Sequence, residues 1–207
     1  MPVDLLWLFF VTACLLAVAP GPDNIFVLTQ SLAYGSRAGL LVILGLCTGL
    51  VLHTTLVTLG LAALIASSDS LLLMIKLIGA AYLLYLAWQH WQASRQPQAK
   101  ASALKLGGWQ LYRRGIIMNA TNPKVGMFFL AFLPQFVDVS HGPVSRQMVI
   151  LGMLFILATL LVFGGIALIA GQLAKGLVGF GSTRLWFTRL VSVVFVLLAL
   201  NLFVDLI

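Results

Sequence analysis

Acidic residues are scarce in this sequence. It has no glutamate and five Asp among 207 residues, and charged residues of both signs make up 8% of the chain, against about 25% in a soluble domain. Hydrophobic residues make up 61%. A chain of this composition cannot cover a globular surface with polar groups, so the composition excludes a soluble protein and indicates one that lies in the lipid bilayer.

The sequence also lacks the motifs of common enzymes and metal sites. It has no GxSxG, no HExxH and no glycine-rich phosphate loop. Its three His residues lie in different segments, and Cys14 and Cys47 have no metal-ligand spacing. We therefore expect no enzymatic activity, no cofactor and no metal site. Asp23 with nearby asparagines could hold a hard cation, but one carboxylate beside a lysine is a poor cation site.

Six apolar stretches divide the chain. Each is close to or longer than the roughly 20 residues that a membrane-spanning helix needs. They cover residues 5–33, 40–66, 71–88, 115–136, 148–174 and 185–207. The sequence therefore predicts an all-α polytopic membrane protein with six transmembrane helices, although a five-span arrangement stays open.

The two halves of the chain resemble each other. Pro22-Asp23 is matched by Pro123-Lys124, and the sequence Val-Ile-Leu-Gly occurs at both 42–45 and 149–152. We predict a first three-helix repeat over residues 1–92, a basic linker over 93–110 and a second repeat over 111–207. Because each repeat has three spans, the second is inverted relative to the first, as in many secondary transporters.

Basic residues are distributed unequally between the two predicted faces. Nine of the 12 Lys and Arg residues flank the connections after spans one, three and five, whereas the opposite face has only Arg146. The positive-inside rule places the linker in the cytoplasm and both termini outside. The net charge of +7 is thereby explained by topology, so it does not indicate a nucleic-acid partner.

Proline and glycine interrupt the first and fourth spans. Pro20 and Pro22 lack an N–H and flank Gly21, so regular helix is hard to sustain there, and Pro123 interrupts the fourth span. Because proline is favoured in the first turn of a helix, Pro22 and Pro123 are expected to open new half-helices, whose N-termini attract anions. The alternative is a proline kink in an inert helix.

Charged and amide side chains lie next to both breaks: Asp23 and Asn24 at the first, and Asn119, Asn122 and Lys124 at the second. A charge near the bilayer centre costs at least about 2.5 kcal/mol, so such residues are usually paired or functional. We predict a substrate site in which Lys124 faces a carboxylate and Asp23 an ammonium group. The alternatives are a structural ion pair and asparagines that only cap helix ends.

Two further residues within spans are candidates. Lys76 could turn into the protein towards the substrate or extend to the membrane interface. His53 could relay protons because its unperturbed pKa lies near neutrality, or it could make an interhelical hydrogen bond. Asp23 is the first candidate for proton coupling, since protonation would remove its charge. Gly45 and Gly49 form a GxxxG pattern that favours close helix packing.

Together these residues resemble the LysE/RhtB family of bacterial amino-acid exporters. The similar segments are 19–24, 76–83, 119–124 and 128–136, and the resemblance extends over nearly the whole chain. It implies efflux of an amino acid or a close derivative across the bacterial inner membrane, driven by the proton gradient. The expected partners are this small-molecule substrate and the lipid bilayer, and a homo-oligomer is compatible with the sequence. A cation or other small-metabolite exporter and a non-transporting scaffold are the alternatives.

Overall fold

The structure is a computed structural model that describes residues 1–19, 21–65, 69–93 and 105–173, and beyond these only Val193, Val196 and Leu200. Regular structure in the described ranges is helical, without β-strands. Over the described ranges up to residue 173 there are seven α-helices: Val3–Val18 (α1), Pro22–Tyr34 (α2), Ser36–Ile65 (α3), Asp69–Ala93 (α4), Gly108–Ala120 (α5), Pro123–Met127 (α6) and Val144–Leu173 (α7). The prediction of an all-α protein is confirmed.

The first and fourth spans are broken where the prolines predict. The axes of α1 and α2 are bent by 64°, and those of α5 and the segment that α6 opens by 47°. Pro22 and Pro123 lie in the first turns of α2 and α6. Backbone N–H groups in the first turn have no intrahelical acceptor, so proline loses no helical hydrogen bond there. Pro20 lies outside the described residues, so its predicted role is not tested.

The fourth span has a second irregularity that the sequence analysis did not predict. After α6 the chain forms a π-helical turn, Phe128–Phe132, and then a 3₁₀ turn, Leu133–Phe136. Pro134 cannot donate to the carbonyl four residues earlier, so the regular α-helix ends before it. A further 3₁₀ turn, Val139–His141, connects this span to α7.

The number of spans agrees with the prediction in part. α3 and α7 are each long and apolar enough to cross a membrane, and counting each bent pair as one span gives up to four. α4 occupies the predicted third span, and within its described residues the stretch Leu77–Gln89 is apolar. The predicted sixth span, 185–207, lies almost wholly outside the described residues, so the count of six stays a prediction.

α3 packs closely against α5 through glycine. A Cβ atom on Gly45 would collide with the carbonyl oxygen of Tyr112 and lie 2.9 Å from Cα of Gly115. The two backbones therefore touch, as small residues allow in membrane helices. This confirms the packing role predicted for the GxxxG pattern.

The outer helix faces are apolar. Large hydrophobic side chains are exposed along α3 and α7, among them Leu44, Leu56, Met153 and Leu161. The polar side chains at the breaks, by contrast, are buried: Asp23, Asn24, Asn119, Asn122 and Lys124. This distribution, the reverse of that in a soluble protein, suits a protein surrounded by lipid.

α5 begins at Gly108, seven residues before the predicted start of the fourth span. The backbone N–H of Gly107 donates to the Gln110 side chain at 2.8 Å and fixes this helix start. The first turns of α5 are polar, with Gln110, Arg113 and Arg114 exposed, so a search for apolar residues misses them. The division into repeats and linker stays a prediction, since residues 94–104 are outside the described ranges.

Candidate functional site

Lys124, in the first turn of α6, reaches across to the end of α1. Its ammonium Nζ donates to the carbonyl oxygens of Leu16 at 3.2 Å and Ala19 at 2.9 Å. Asn24 Nδ2 donates to the carbonyl of Ala17 at 2.7 Å. The last carbonyls of a helix have no intrahelical partner and carry partial negative charge, so a cation there is favourable. Lys124 and Asn24 thus close the broken end of α1.

Asn122 connects the two breaks. Its Nδ2 donates to Oδ2 of Asp23 at 2.7 Å, and its Oδ1 accepts from the backbone N–H of Lys124 at 3.0 Å. Asn122 is the N-cap of α6, as the capping alternative predicted. One amide group therefore caps the second half-helix and holds the carboxylate at the start of the first.

Asp23 and Lys124 do not form the structural ion pair that the sequence left open. Among the described residues, the ion pair within 4.0 Å is His141–Asp138. The Lys124 ammonium binds backbone carbonyls and the Asp23 carboxylate binds an amide, because each side chain is drawn to the unsatisfied groups of a helix break. That alternative was wrong, although the structure brings both residues to one place.

Three buried oxygen atoms at the breaks accept no hydrogen bond: Asp23 Oδ1, Asn24 Oδ1 and Asn119 Oδ1. The exposed fractions of the three residues are 3%, 8% and 3%. A buried polar atom without a partner costs about 1–3 kcal/mol. Such a cost at neighbouring residues of two helix breaks is typical of a binding site rather than of a packed core.

A cavity of about 20 Å³ lies at this place. Its lining residues are Leu16, Ala17, Asp23, Leu46, Asn119, Lys124, Val125, Phe155, Thr159 and Phe163. This volume has room for about one water molecule. A substrate of amino-acid size can therefore enter only if the surrounding helices separate.

His53 lies beside the second break rather than in the cavity lining. Its Nε2 is 3.1 Å from the carbonyl oxygen of Asn119, so this nitrogen carries the proton and donates. The ring packs on Phe129, with centroids 5.7 Å apart. The interhelical hydrogen bond foreseen as the alternative role is present, while proton relay stays a prediction. Lys76 lies in α4, but its side chain is outside the described part of the structure.

The sequence analysis missed the contribution of α7 to the cavity. Phe155, Thr159 and Phe163 lie one turn apart on this helix and line the cavity. Thr159 is a buried polar residue in an otherwise apolar run, and this was the one signal that could have identified it. No signal in the sequence could have identified the carbonyls of Leu16 and Ala19 as partners of Lys124, because every residue carries a carbonyl.

Metal ligands are not grouped in the described ranges. No cluster of three or more His, Cys, Asp or Glu side chains occurs among those residues.

Comparisons with known proteins agree with the family resemblance that the sequence motifs indicate. The family model described as LysE type translocator matches residues 14–206. An uncharacterized membrane protein of Vibrio cholerae serotype O1 is 36% identical over 172 residues, 82% of each chain. The homoserine/homoserine lactone efflux protein of Salmonella typhimurium is 34% identical over 171 residues, 83% of this chain and 82% of that protein.

A third relative, the uncharacterized membrane protein YrhP of Bacillus subtilis, is 36% identical over 160 residues, 73% of this chain and 76% of that protein. No solved structure matches the chain. The family match includes the residues of both helix breaks, and each of these relatives aligns with most of the sequence. The chain therefore belongs to the LysE type translocator family, and it is a transmembrane transport protein rather than an enzyme.

Proposed function

We propose that this protein exports an amino acid or a close derivative across the bacterial inner membrane, driven by the proton gradient. The observation that carries the proposal is the pair of broken helices, joined at buried Asp23, Asn122 and Lys124 around a small cavity. Relatives named as homoserine/homoserine lactone efflux proteins make homoserine and its lactone the first substrates to test.

Transport proceeds by alternating access between two three-helix repeats, residues 1–92 and 111–207, the second inverted. Both termini lie outside and the linker 93–110 lies in the cytoplasm. The bonds from Lys124 to Leu16 and Ala19, and from Asn122 to Asp23, all join the first repeat to the second. Opening the cavity to either side requires some of these bonds to break. One chain contains both breaks, so the mechanism needs no second subunit.

The substrate binds at the two breaks, where backbone and side chains offer unsatisfied polar groups. Asp23 attracts its ammonium group and Asn24, Asn119 and Asn122 orient it. Lys76 remains a further predicted substrate-binding residue. Pro22 and Pro123 open new half-helices after Gly21 and Asn122, so a continuous helix does not cross either break. Pro20 and Gly21 are predicted to contribute to the first break. Gly21 also leaves space for Lys124, because a Cβ there would lie 3.3 Å from Nζ.

Asp23 couples transport to protons. Protonation removes its charge and weakens its attraction for a substrate ammonium group, so proton binding and substrate release are linked. His53 is the second candidate, since its hydrogen bond to the Asn119 carbonyl connects α3 to the break.

Efflux from proteoliposomes tests the proposal. Vesicles are loaded with a labelled mixture of amino acids and homoserine lactone, and release is measured with and without a pH gradient. We expect gradient-dependent loss of one or a few compounds through the wild-type protein, no gradient dependence for Asp23→Asn, and loss of efflux for Lys124→Ala.

Asp4→Asn is the matched control, because it makes the same change at an exposed position in the first turn of α1. It should transport as wild type does. Full gradient-driven efflux through Asp23→Asn would refute the coupling role. Absence of efflux of every compound from folded, inserted protein would refute amino-acid export.

A further inference from the structure

Three buried acceptor oxygens at the site have no hydrogen-bond donor. Asp23 Oδ1 and Asn119 Oδ1 belong to residues that line one cavity, and Asn24 Oδ1 follows Asp23 in the same helix turn. Each of the three residues is more than nine-tenths buried. These oxygens can be satisfied only by a group that brings N–H or O–H donors.

Lys124 can supply at most one of these donors in this arrangement. Its ammonium group has three N–H bonds, and two of them point to the carbonyl oxygens of Leu16 and Ala19. The carbonyls belong to the broken end of α1, where they have no other partner in the described structure. Lys124 therefore closes a helix end, and its charge is already matched by the negative end of the α1 dipole.

The rest of the cavity lining is mostly apolar. Apart from Asp23, Asn119, Lys124 and Thr159, the lining side chains are hydrocarbon. Asp23 is its only carboxylate, and no cation lies within 4.0 Å of it in the described ranges. The charge and the hydrogen-bonding groups thus both favour a cationic donor in the cavity.

We propose that this site recognises the primary ammonium group of its substrate and does not require a free carboxylate. The inference deepens the proposed function and rests on it. It differs from recognition of a zwitterion by an Asp–Lys pair, because two of the three N–H bonds of Lys124 already bind carbonyls of α1. An ammonium group carries three donors, which can pair with the unpartnered oxygens of Asp23 and Asn119, two residues that line the cavity. A calcium-like cation would take six to eight oxygen ligands, more than the site offers.

Binding of modified substrates to the purified wild-type protein tests this inference. The probes are homoserine, homoserinamide, which keeps the ammonium but has no carboxylate, and N-acetylhomoserine, which has the carboxylate but no ammonium. The same three forms are prepared for any other amino acid that the efflux assay identifies. Ligand-dependent thermal stabilisation in detergent gives each affinity, so membrane permeation of the probes has no influence.

We expect the amide to bind within about threefold of the free amino acid. The N-acetyl form should bind at least about tenfold more weakly, because the buried oxygens stay unpaired. Equal binding of the N-acetyl form, or a tenfold loss for the amide, would overturn the inference while leaving amino-acid export intact. No binding of any form would overturn the inference together with the proposed function.

Lys124→Gln provides a second test, because glutamine keeps a donor for the α1 carbonyls and removes the charge. We expect the ratio of amino-acid to amide affinity to stay within about threefold of the wild-type ratio, even if both affinities fall. A selective loss of about tenfold for the free amino acid would show that Lys124 binds the carboxylate and would overturn the inference. The wild-type measurements decide the question if this variant does not fold.

Discussion

The Asn122 side chain joins the two helix breaks directly. It caps α6 through Oδ1 and holds the Asp23 carboxylate through Nδ2. Loss of an N-cap costs about 1 kcal/mol, and loss of a hydrogen bond to a charged group about 1.5–3 kcal/mol. Asn122→Ala should therefore lower the free energy of unfolding in detergent by about 2–4 kcal/mol.

The neighbouring Thr121→Ala is the control for this variant. Thr121 is exposed, and its hydroxyl bonds only within α5, so its loss should change stability by less than about 0.5 kcal/mol. Equal stability of Asn122→Ala and Thr121→Ala would contradict the bridging role of Asn122.

Asp138 lies outside the spanning helices, in the turn before α7, and its carboxylate accepts several hydrogen bonds from neighbouring residues. The Ser140 hydroxyl and backbone N–H donate to Oδ1, and His141 Nδ1 lies 2.7 Å from Oδ2. These hydrogen bonds, those of Ser140 first, lower the pKa of Asp138 from 3.8 to about 2. The folded-state pKa is below the unfolded value, so this carboxylate stabilises the turn above about pH 4. That contribution is lost as the pH falls to about 2.

A titration of the Asp138 carboxyl carbon by NMR, with labelled aspartate, checks this assignment. The midpoint should lie at about 2 in the wild type and rise towards 3.8 in Ser140→Ala, because its largest stabilising hydrogen bond is gone. Thr121→Ala serves again as the variant that should leave the midpoint unchanged. An unchanged midpoint in Ser140→Ala would assign the shift to another cause.

At the scale of helices, the contact between α3 and α5 depends on the absence of side chains. A Cβ on Gly45 would meet the backbone of Tyr112 and Gly115, which cannot move aside as a flexible side chain could. Gly45→Ala should therefore destabilise the protein by about 1–3 kcal/mol through overpacking, although alanine is the better helix former.

Gly164→Ala on α7 is a matched control, since a Cβ there meets nothing within 4 Å. This variant should be neutral or more stable by up to about 1 kcal/mol. Thermal unfolding of both variants in detergent gives the comparison. If Gly45→Ala matched Gly164→Ala, the close approach of the helices would be disproved.

The helix breaks could be predicted because their causes are local. Pro22 and Pro123 dictate backbone geometry wherever they occur, and the structure has them in the first turns of α2 and α6. The partners of Lys124 could not be predicted, because they are carbonyls more than 100 residues away and carry no residue-type signal. The π-helical turn Phe128–Phe132 depends on packing of the whole fourth span, and an apolar run does not distinguish it from an α-helix.

At the scale of the molecule, the predicted orientation can be tested by labelling. Ser102 belongs to the predicted cytoplasmic linker, and Ser145 is an exposed residue at the start of α7, on the predicted outer face. We expect an impermeant maleimide added to intact cells to modify Ser145→Cys and not Ser102→Cys, with the reverse result in inside-out vesicles.

The background for this experiment is the chain with Cys14→Ala and Cys47→Ala, since both native thiols are free and half-buried. The unsubstituted background should remain unlabelled from either side. Modification of Ser102→Cys and Ser145→Cys from the same side would contradict the predicted topology.

The bond from Lys124 to the end of α1 has a consequence for the order of events during synthesis. The Leu16 and Ala19 carbonyls enter the bilayer with the first helix, but Lys124 is 108 and 105 residues further along the chain. At about 5–20 residues per second, the ribosome needs roughly 5–20 seconds to deliver it. During that interval the carbonyls of Leu16 and Ala19 lack the Lys124 ammonium as a hydrogen-bond donor. The insertion machinery or the surrounding lipids must therefore keep them solvated until the second half of the chain arrives.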